Sequence, residues 1–189
     1  MTTYRVGYFV GSLSSTSINR ALSKALISVA PEGLEFTEIR IDNLPLYSPD
    51  YDANYPPEGQ ALKDAIAGVQ ALLFVSPEYN RSIPGVLKNA IDWASRPWGQ
   101  NSFNQMPTAI IGASIGSIGT ALAQQSLRSV MAFCNARQMT APEAYIHLRA
   151  GTIDDEGKIH DEGLAQVLQE FMAEFKEHVR RVLTVLPRD

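Results

Sequence analysis

Three short stretches carry polar side chains at spacings that suit a bound nucleotide. The first is Gly11-Ser12-Leu13-Ser14-Ser15-Thr16-Ser17-Ile18-Asn19, in which Ser12, Ser14, Ser15, Thr16 and Ser17 place hydroxyls at nearly every position. Backbone N–H groups at a helix N-terminus lack intrahelical acceptors and attract anions, and hydroxyls add further donors. The stretch therefore suits a phosphate monoester held without a lysine. It is not a P-loop, because the Gly-Lys-Ser/Thr ending is missing, nor a dinucleotide fingerprint, because only Gly11 is present. A Ser/Thr-rich helix cap is the competing explanation.

The second stretch is Pro77-Glu78-Tyr79-Asn80-Arg81-Ser82-Ile83-Pro84-Gly85. Two prolines and a glycine stiffen it. Asn80 offers both a donor and an acceptor to the polar edge of a ring system, and Tyr79 offers a face to stack on or a border. The competing explanation is a capped turn, with Asn80 or Ser82 near a helix start and Pro84 in its first turn. Glu78, the only carboxylate here, is expected to orient the loop rather than act as a general acid. The third stretch, Gly112-Ala113-Ser114-Ile115-Gly116-Ser117-Ile118-Gly119, lets a ligand approach the backbone closely but is weak evidence alone.

Other chemistry is poorly supplied. His147, His160 and His178 are scattered away from these stretches, which argues against a metal site, and His178 is expected on the exposed face of the last helix. Cys134 sits among apolar neighbours and reads as core filler. Trp93 reads as core or interface.

What must position the three stretches is a regular alternation of strands and helices. Strands are expected at Tyr4 to Val10, Leu34 to Ile41, Gln70 to Ser76, Pro107 to Ala113, and in short form within Met139 to Ile146. Helices are expected at Ser17 to Val29, Glu58 to Gly68, Val86 to Trp93 and Ile118 to Arg137, with a final amphipathic helix marked by Leu164, Val167, Leu168, Phe171, Phe175, Val179 and Val182. Asp42 to Pro57 is a long loop with several prolines and tyrosines. Such alternation implies an α/β three-layer sandwich, flavodoxin-like, with a five-stranded parallel sheet of order 2-1-3-4-5. In that order strands one, three and four are neighbours, so the three polar stretches converge at their carboxyl ends, where open α/β sheets bind ligands.

The 189 residues suit one domain spanning 1–189. Hydrophobic residues make up 45% and charged residues 19%, which excludes a disordered chain. A net charge of -4 gives no basic footprint for nucleic acid. No apolar run approaches the ~18 residues of a membrane span. One cysteine excludes an internal disulfide framework. With no signal-peptide pattern at the N-terminus, a cytoplasmic location is the expectation.

Taken together, G-S-L-x-x-x-S-x-N, P-E-Y-N-x-S-x-P-G-x-L-K-N-A-I-D-W and G-A-S-x-G-x-x-G resemble the NADPH-dependent FMN reductase family, and within it the bacterial chromate or quinone reductase branch. The resemblance covers roughly residues 4 to 183. It implies non-covalent FMN, with Ser12, Ser17, Ile18 and Asn19 at the phosphate. It also implies Pro77, Glu78, Tyr79 and Asn80 along the isoalloxazine, and Ser114 bordering it. Ser14 stands where the family often has Arg, which shifts anion binding onto hydroxyls and the helix dipole. Thr120 stands where many relatives have glycine, which is expected to narrow the third loop. The resemblance further implies dimers, often paired into tetramers, with an inter-subunit network at positions that read here as Arg128 and Glu143. The activity implied is ping-pong: NADPH or NADH delivers a hydride to flavin N5 and is replaced by a quinone, or by chromate, azo or nitro compounds, with Tyr79 and Arg128 as acceptor-side candidates. A flavodoxin-type electron carrier and a flavin-free binding protein on the same fold are the alternatives.

Overall fold

The computed structural model describes residues 2–188. The strands are β1 (Tyr4–Val10), β2 (Leu34–Glu38), β3 (Ala71–Val75), β4 (Pro107–Ser114), β5 (Arg137–Gln138) and β6 (Tyr145–His147). The helices are α1 (Ile18–Ser28), α2 (Pro57–Ala67), α3 (Gly85–Ala94), α4 (Ala121–Phe133) and α5 (Glu162–Val185), with a 3-10 turn at Pro49–Tyr51.

All strand pairs are parallel, and the order is β2-β1-β3-β4-β5, with β6 also pairing β4. This is the flavodoxin-like order expected from the sequence. The fifth place in the sheet is filled by two pieces: Arg137 and Gln138 pair with Pro107 and Thr108, then Tyr145–His147 rejoin at Gly112–Ser114. The intervening 139–144 leave the ladder. The expected helix over Ile118 to Arg137 is shorter at both ends. It stops at Phe133, Asn135 takes a left-handed φ of 56°, and the chain turns at once into β5. Strand two likewise ends at Glu38 rather than Ile41.

Strand alternation sends β3 side chains to both layers, so every residue of β3 is buried. Leu72 and Phe74 pack with α2, α3 and α4 through Leu62, Ile66, Leu87, Ile91 and Leu127. Ala71, Leu73 and Val75 pack with α1 and α5 through Leu22, Leu26, Leu168, Phe171 and Phe175. Trp93 belongs to the core and is fully buried. Tyr47, Tyr51 and Tyr55 surround it with ring centroids at 5.2, 5.4 and 5.1 Å, and its indole N–H donates to the Pro45 carbonyl at 2.7 Å. The tyrosines thus pin the 42–57 loop to α3. Cys134 is buried beside the same layer, as expected of core filler. No described helix is long and apolar enough to cross a membrane.

Candidate active site

The carboxyl ends of β1, β3 and β4 bring the three stretches together. After β1 the chain must pass very close to β3: a Cβ on Gly11 would sit 2.6 Å from the Ser76 hydroxyl. The next residues fold into a string of small turns. Ser12 Oγ accepts from the Ser14 N–H at 3.3 Å, and Ser14 Oγ accepts from the Thr16 N–H at 3.2 Å. Ser17 is the N-cap of α1, its side chain accepting from the Arg20 N–H at 3.3 Å. The N–H groups of Ile18 and Asn19 open the helix and have no acceptor within it. With the hydroxyl hydrogens around them they present donors suited to an anion, while Arg20, just inside the helix, is paired with Glu38.

The Asn19 side chain, expected at the phosphate, is engaged within the protein. It is 1% exposed. Its Nδ2 donates to the Ala113 carbonyl and its Oδ1 accepts from the Ala113 N–H, both at 2.9 Å. The cause lies in the sheet. Ile111 gives its carbonyl to the Ser76 N–H, and two residues on Ala113 faces the same side, beyond the end of β3 at Val75. The Asn19 amide completes the ladder in place of a peptide. What Asn19 leaves for an anion is its backbone N–H and the second hydrogen of its Nδ2.

The second stretch is a rigid loop. Tyr79 and Ser82 exchange N–H and carbonyl at 3.0 Å each way, and Asn80 and Arg81 both have left-handed φ, 51° and 64°. Such conformations in non-glycine residues persist only where the surroundings impose them. Glu78 supplies part of that constraint. Its Oε2 accepts from the N–H groups of Leu122 and Ala123 at 3.0 and 3.1 Å, capping α4 from another loop, and its Oε1 meets Arg81 Nη1 at 3.2 Å. The expected orienting role for Glu78 is thus visible in its contacts, although nothing in the sequence marks α4 as the helix it caps. Tyr79 is 49% exposed and Asn80 is open to solvent, so the loop presents an aromatic ring and an amide outward.

The third stretch leaves β4 at Ser114, whose Oγ accepts from the Gly116 N–H at 3.0 Å. Gly112 passes so close to β3 that a Cβ would collide with the Ser76 carbonyl. Thr120 does not narrow this loop. It is fully buried, and its hydroxyl turns inward to accept from Gln124 Nε2 at 3.0 Å.

Arg128 and Glu143 meet within one chain. Segment 139–144 folds over α4, so Arg128 Nε lies 3.7 Å from Glu143 Oε1 and Nη1 donates to the Met139 carbonyl at 2.9 Å. His178 is half-buried rather than on an exposed face, because its ring reaches across to the Arg137 carbonyl at 2.7 Å. A cleft of about 450 Å³, lined by Ser12, Ser14 and Ser15 of the first loop, opens toward the end of β2. Its charges are internally matched: Arg20 holds Glu38 through two bonds of 2.8 and 2.9 Å, and Arg40 holds Asp42 through bonds of 3.0 and 2.6 Å. Among the described residues no cluster of histidine, cysteine and carboxylate could hold a metal.

A hydroxyl-lined helix N-terminus beside two rigid loops at the switch point of a flavodoxin-like sheet defines a flavin-nucleotide binding protein. Residues 4–150 match the NADPH-dependent FMN reductase family, and the chain belongs to it. It is similar to the 2-hydroxy-1,4-benzoquinone reductase of a Burkholderia species, with 48% identity over 93% of this chain and 96% of that one. It is also similar to the quinone reductase of Pseudomonas putida, with 42% identity over 94% and 95% of the two chains. Among solved structures it resembles the flavoenzyme NAD(P)H:(acceptor) oxidoreductase FerB of Paracoccus denitrificans, with 42% identity, a TM-score of 0.90, and coverage of 95% and 98%.

Proposed function

We propose that this chain is a single FMN-binding domain that reduces quinones with electrons from NAD(P)H. The net reaction is NAD(P)H + H⁺ + quinone → NAD(P)⁺ + hydroquinone. The observation that carries the reading is the convergence of a hydroxyl-rich helix N-terminus with two braced loops at one crevice. Ser12, Ser14, Ser17 and the N–H groups of Ile18 and Asn19 hold the phosphate. Pro77 to Asn80 line one edge of the flavin ring and Ser114 borders it. When bound, the flavin supplies two-electron redox chemistry, and no side-chain acid is required of the protein. The chain's own contribution is positioning: Asn19 locks the first loop to β4, and Glu78 locks the second to α4. Both locks are made by the chain's own residues.

Membership of a reductase family, with relatives that are themselves quinone reductases, supports turnover over an electron-carrier or flavin-free role. A cytoplasmic dimer or tetramer fits the same reading. Leu13, Tyr79, Ile115, Ile118 and Leu122 are large apolar residues left exposed in or beside the ligand loops, a surface suited to a second copy. The test is to saturate the purified protein with FMN, remove the excess and identify what acid releases. FMN in near one-to-one ratio, together with NAD(P)H-dependent reduction of 1,4-benzoquinone, is expected. FAD as the released species, or a protein that retains no flavin, would overturn the reading.

A further inference from the structure

We propose that the cleft between the first loop and the end of β2 takes the adenosine 2′-phosphate end of NADPH, and that Arg40 makes this enzyme prefer NADPH to NADH. This rests on the NAD(P)H-dependent reduction proposed above and names where the far end of the hydride donor lies.

The cleft, of about 450 Å³, adjoins the proposed flavin site through shared residues, since Ser12 and Ser14, assigned to the FMN phosphate, also line it. Its opposite wall is the carboxyl end of β2 and the residues that follow, Glu38 to Asp42. A dinucleotide places a ribose, a pyrophosphate and a second ribose between nicotinamide and adenine, a longer arm than the ribityl phosphate of FMN. With the nicotinamide over the flavin ring, an arm laid along the FMN passes its phosphate and arrives at this wall. Leu13, on the rim, is 58% exposed and offers the adenine an apolar face. It is the only residue lining the cleft that also belongs to the apolar surface suited to a second copy. The rest lies along β1 and β2, and β2 is the edge strand remote from β4.

In doubly wound sheets that bind dinucleotides, an acidic side chain takes the ribose 2′-hydroxyl of NAD, and an arginine nearby accommodates the 2′-phosphate of NADP. Both kinds stand at the end of β2. Glu38, its last residue, is already engaged: it accepts two bonds from Arg20, at 2.8 and 2.9 Å, and lies 3.4 Å from the Tyr8 hydroxyl. Arg40, two residues on, is open, with 75% of its side chain exposed. Its Nε and Nη2 meet Asp42, which leaves Nη1 and one hydrogen of Nη2 unspent. That ion pair lies at the surface, where such pairs contribute little. A phosphate monoester carries about 1.5 to 2 negative charges and three strong acceptor oxygens, so it outcompetes one carboxylate for the same fork. The wall therefore offers little to a bare ribose diol and a cation to its phosphate.

The test is the reductive half-reaction of FMN-loaded protein, mixed anaerobically with NADPH or NADH in the absence of acceptor. R40A is expected to raise the half-saturating NADPH concentration about tenfold, the scale of one exposed charge-assisted contact, with the limiting rate within about twofold. The value for NADH should move less than about twofold, and so should both values in R180A, which removes the same charge from α5. D42N, which frees the Arg40 fork, should lower the NADPH value about threefold, and R40K should recover part of the loss in R40A. Adenosine 2′,5′-bisphosphate, which carries no hydride, should bind wild type by calorimetry and bind R40A about tenfold more weakly, while 5′-AMP should bind the two alike. Equal effects of R40A on both dinucleotides, or bisphosphate binding that R40A leaves unchanged, would overturn the proposal. A flavin that neither dinucleotide bleaches would instead overturn the NAD(P)H-dependent reduction, while the bisphosphate measurement would still judge the cleft.

Discussion

Replacing Asn19 with alanine separates a structural brace from a phosphate ligand. The side chain makes two hydrogen bonds of 2.9 Å to Ala113 in a place that is 1% exposed. Its loss leaves the Ala113 N–H and carbonyl without partners where neither β3 nor solvent replaces them. Each orphaned buried group costs about 1–3 kcal/mol, so for the two a total near 2–6 kcal/mol is expected. For a domain of this size that corresponds to a fall in Tm of roughly 5–15 °C. FMN affinity should change far less, about fivefold or under, because the Asn19 backbone N–H stays at the helix N-terminus. Urea denaturation of the flavin-free protein measures the first effect, and quenching of FMN fluorescence in the cold measures the second. A variant of unchanged stability that loses affinity about a hundredfold, the size of a charge-assisted bond or two, would show that Asn19 holds the phosphate through its side chain and that the brace is unimportant.

Ser17→Ala should do the reverse of Asn19→Ala, since it removes a hydroxyl beside the anion cradle: FMN affinity should fall at least about tenfold, and stability by only the ~1 kcal/mol of an N-cap, read by the same titration and denaturation. Burial pulls the His178 imidazole below its ordinary value near 6.5. The unfolded chain therefore binds this proton more readily than the folded one, so the contribution of His178 is complete above pH 6.5 and is lost as pH falls toward the lower folded value; His178→Gln should flatten that part of the stability–pH profile. Arg128→Ala should lower Tm because it strips a donor from the Met139 carbonyl and the partner from Glu143, and Arg128→Lys should restore only part, since a single ammonium does not reproduce the guanidinium's two contacts; equal Tm for wild type and alanine would make the pair incidental.

The sheet order and the converging loops were legible because both depend on local patterns. The apolar run of β3 and the hydroxyl-rich start of α1 announce themselves in a few consecutive residues. The particular acceptor of each polar side chain was not legible, because it is set by distant parts of the chain. The Asn19 contact to Ala113 arises because β3 ends at Val75, opposite Ile111, three residues before β4 does, which leaves Ala113 to be satisfied from 94 residues away. Glu78 reaches an α4 terminus 44 residues on for the same kind of reason. The split of the fifth strand was hidden too. Arg137 and Gln138 are too few to show an alternation, and only the left-handed turn at Asn135 separates them from the helix.

The central claim, that the three loops hold an FMN through which NAD(P)H reduces quinones, is tested most directly by anaerobic spectroscopy of the FMN-loaded protein. One equivalent of NADPH or NADH should bleach the flavin's visible band before any acceptor is present, and one equivalent of 1,4-benzoquinone should then restore it within the time of one turnover. A band that NAD(P)H leaves intact, or a bleached band that the quinone does not restore, would contradict the account.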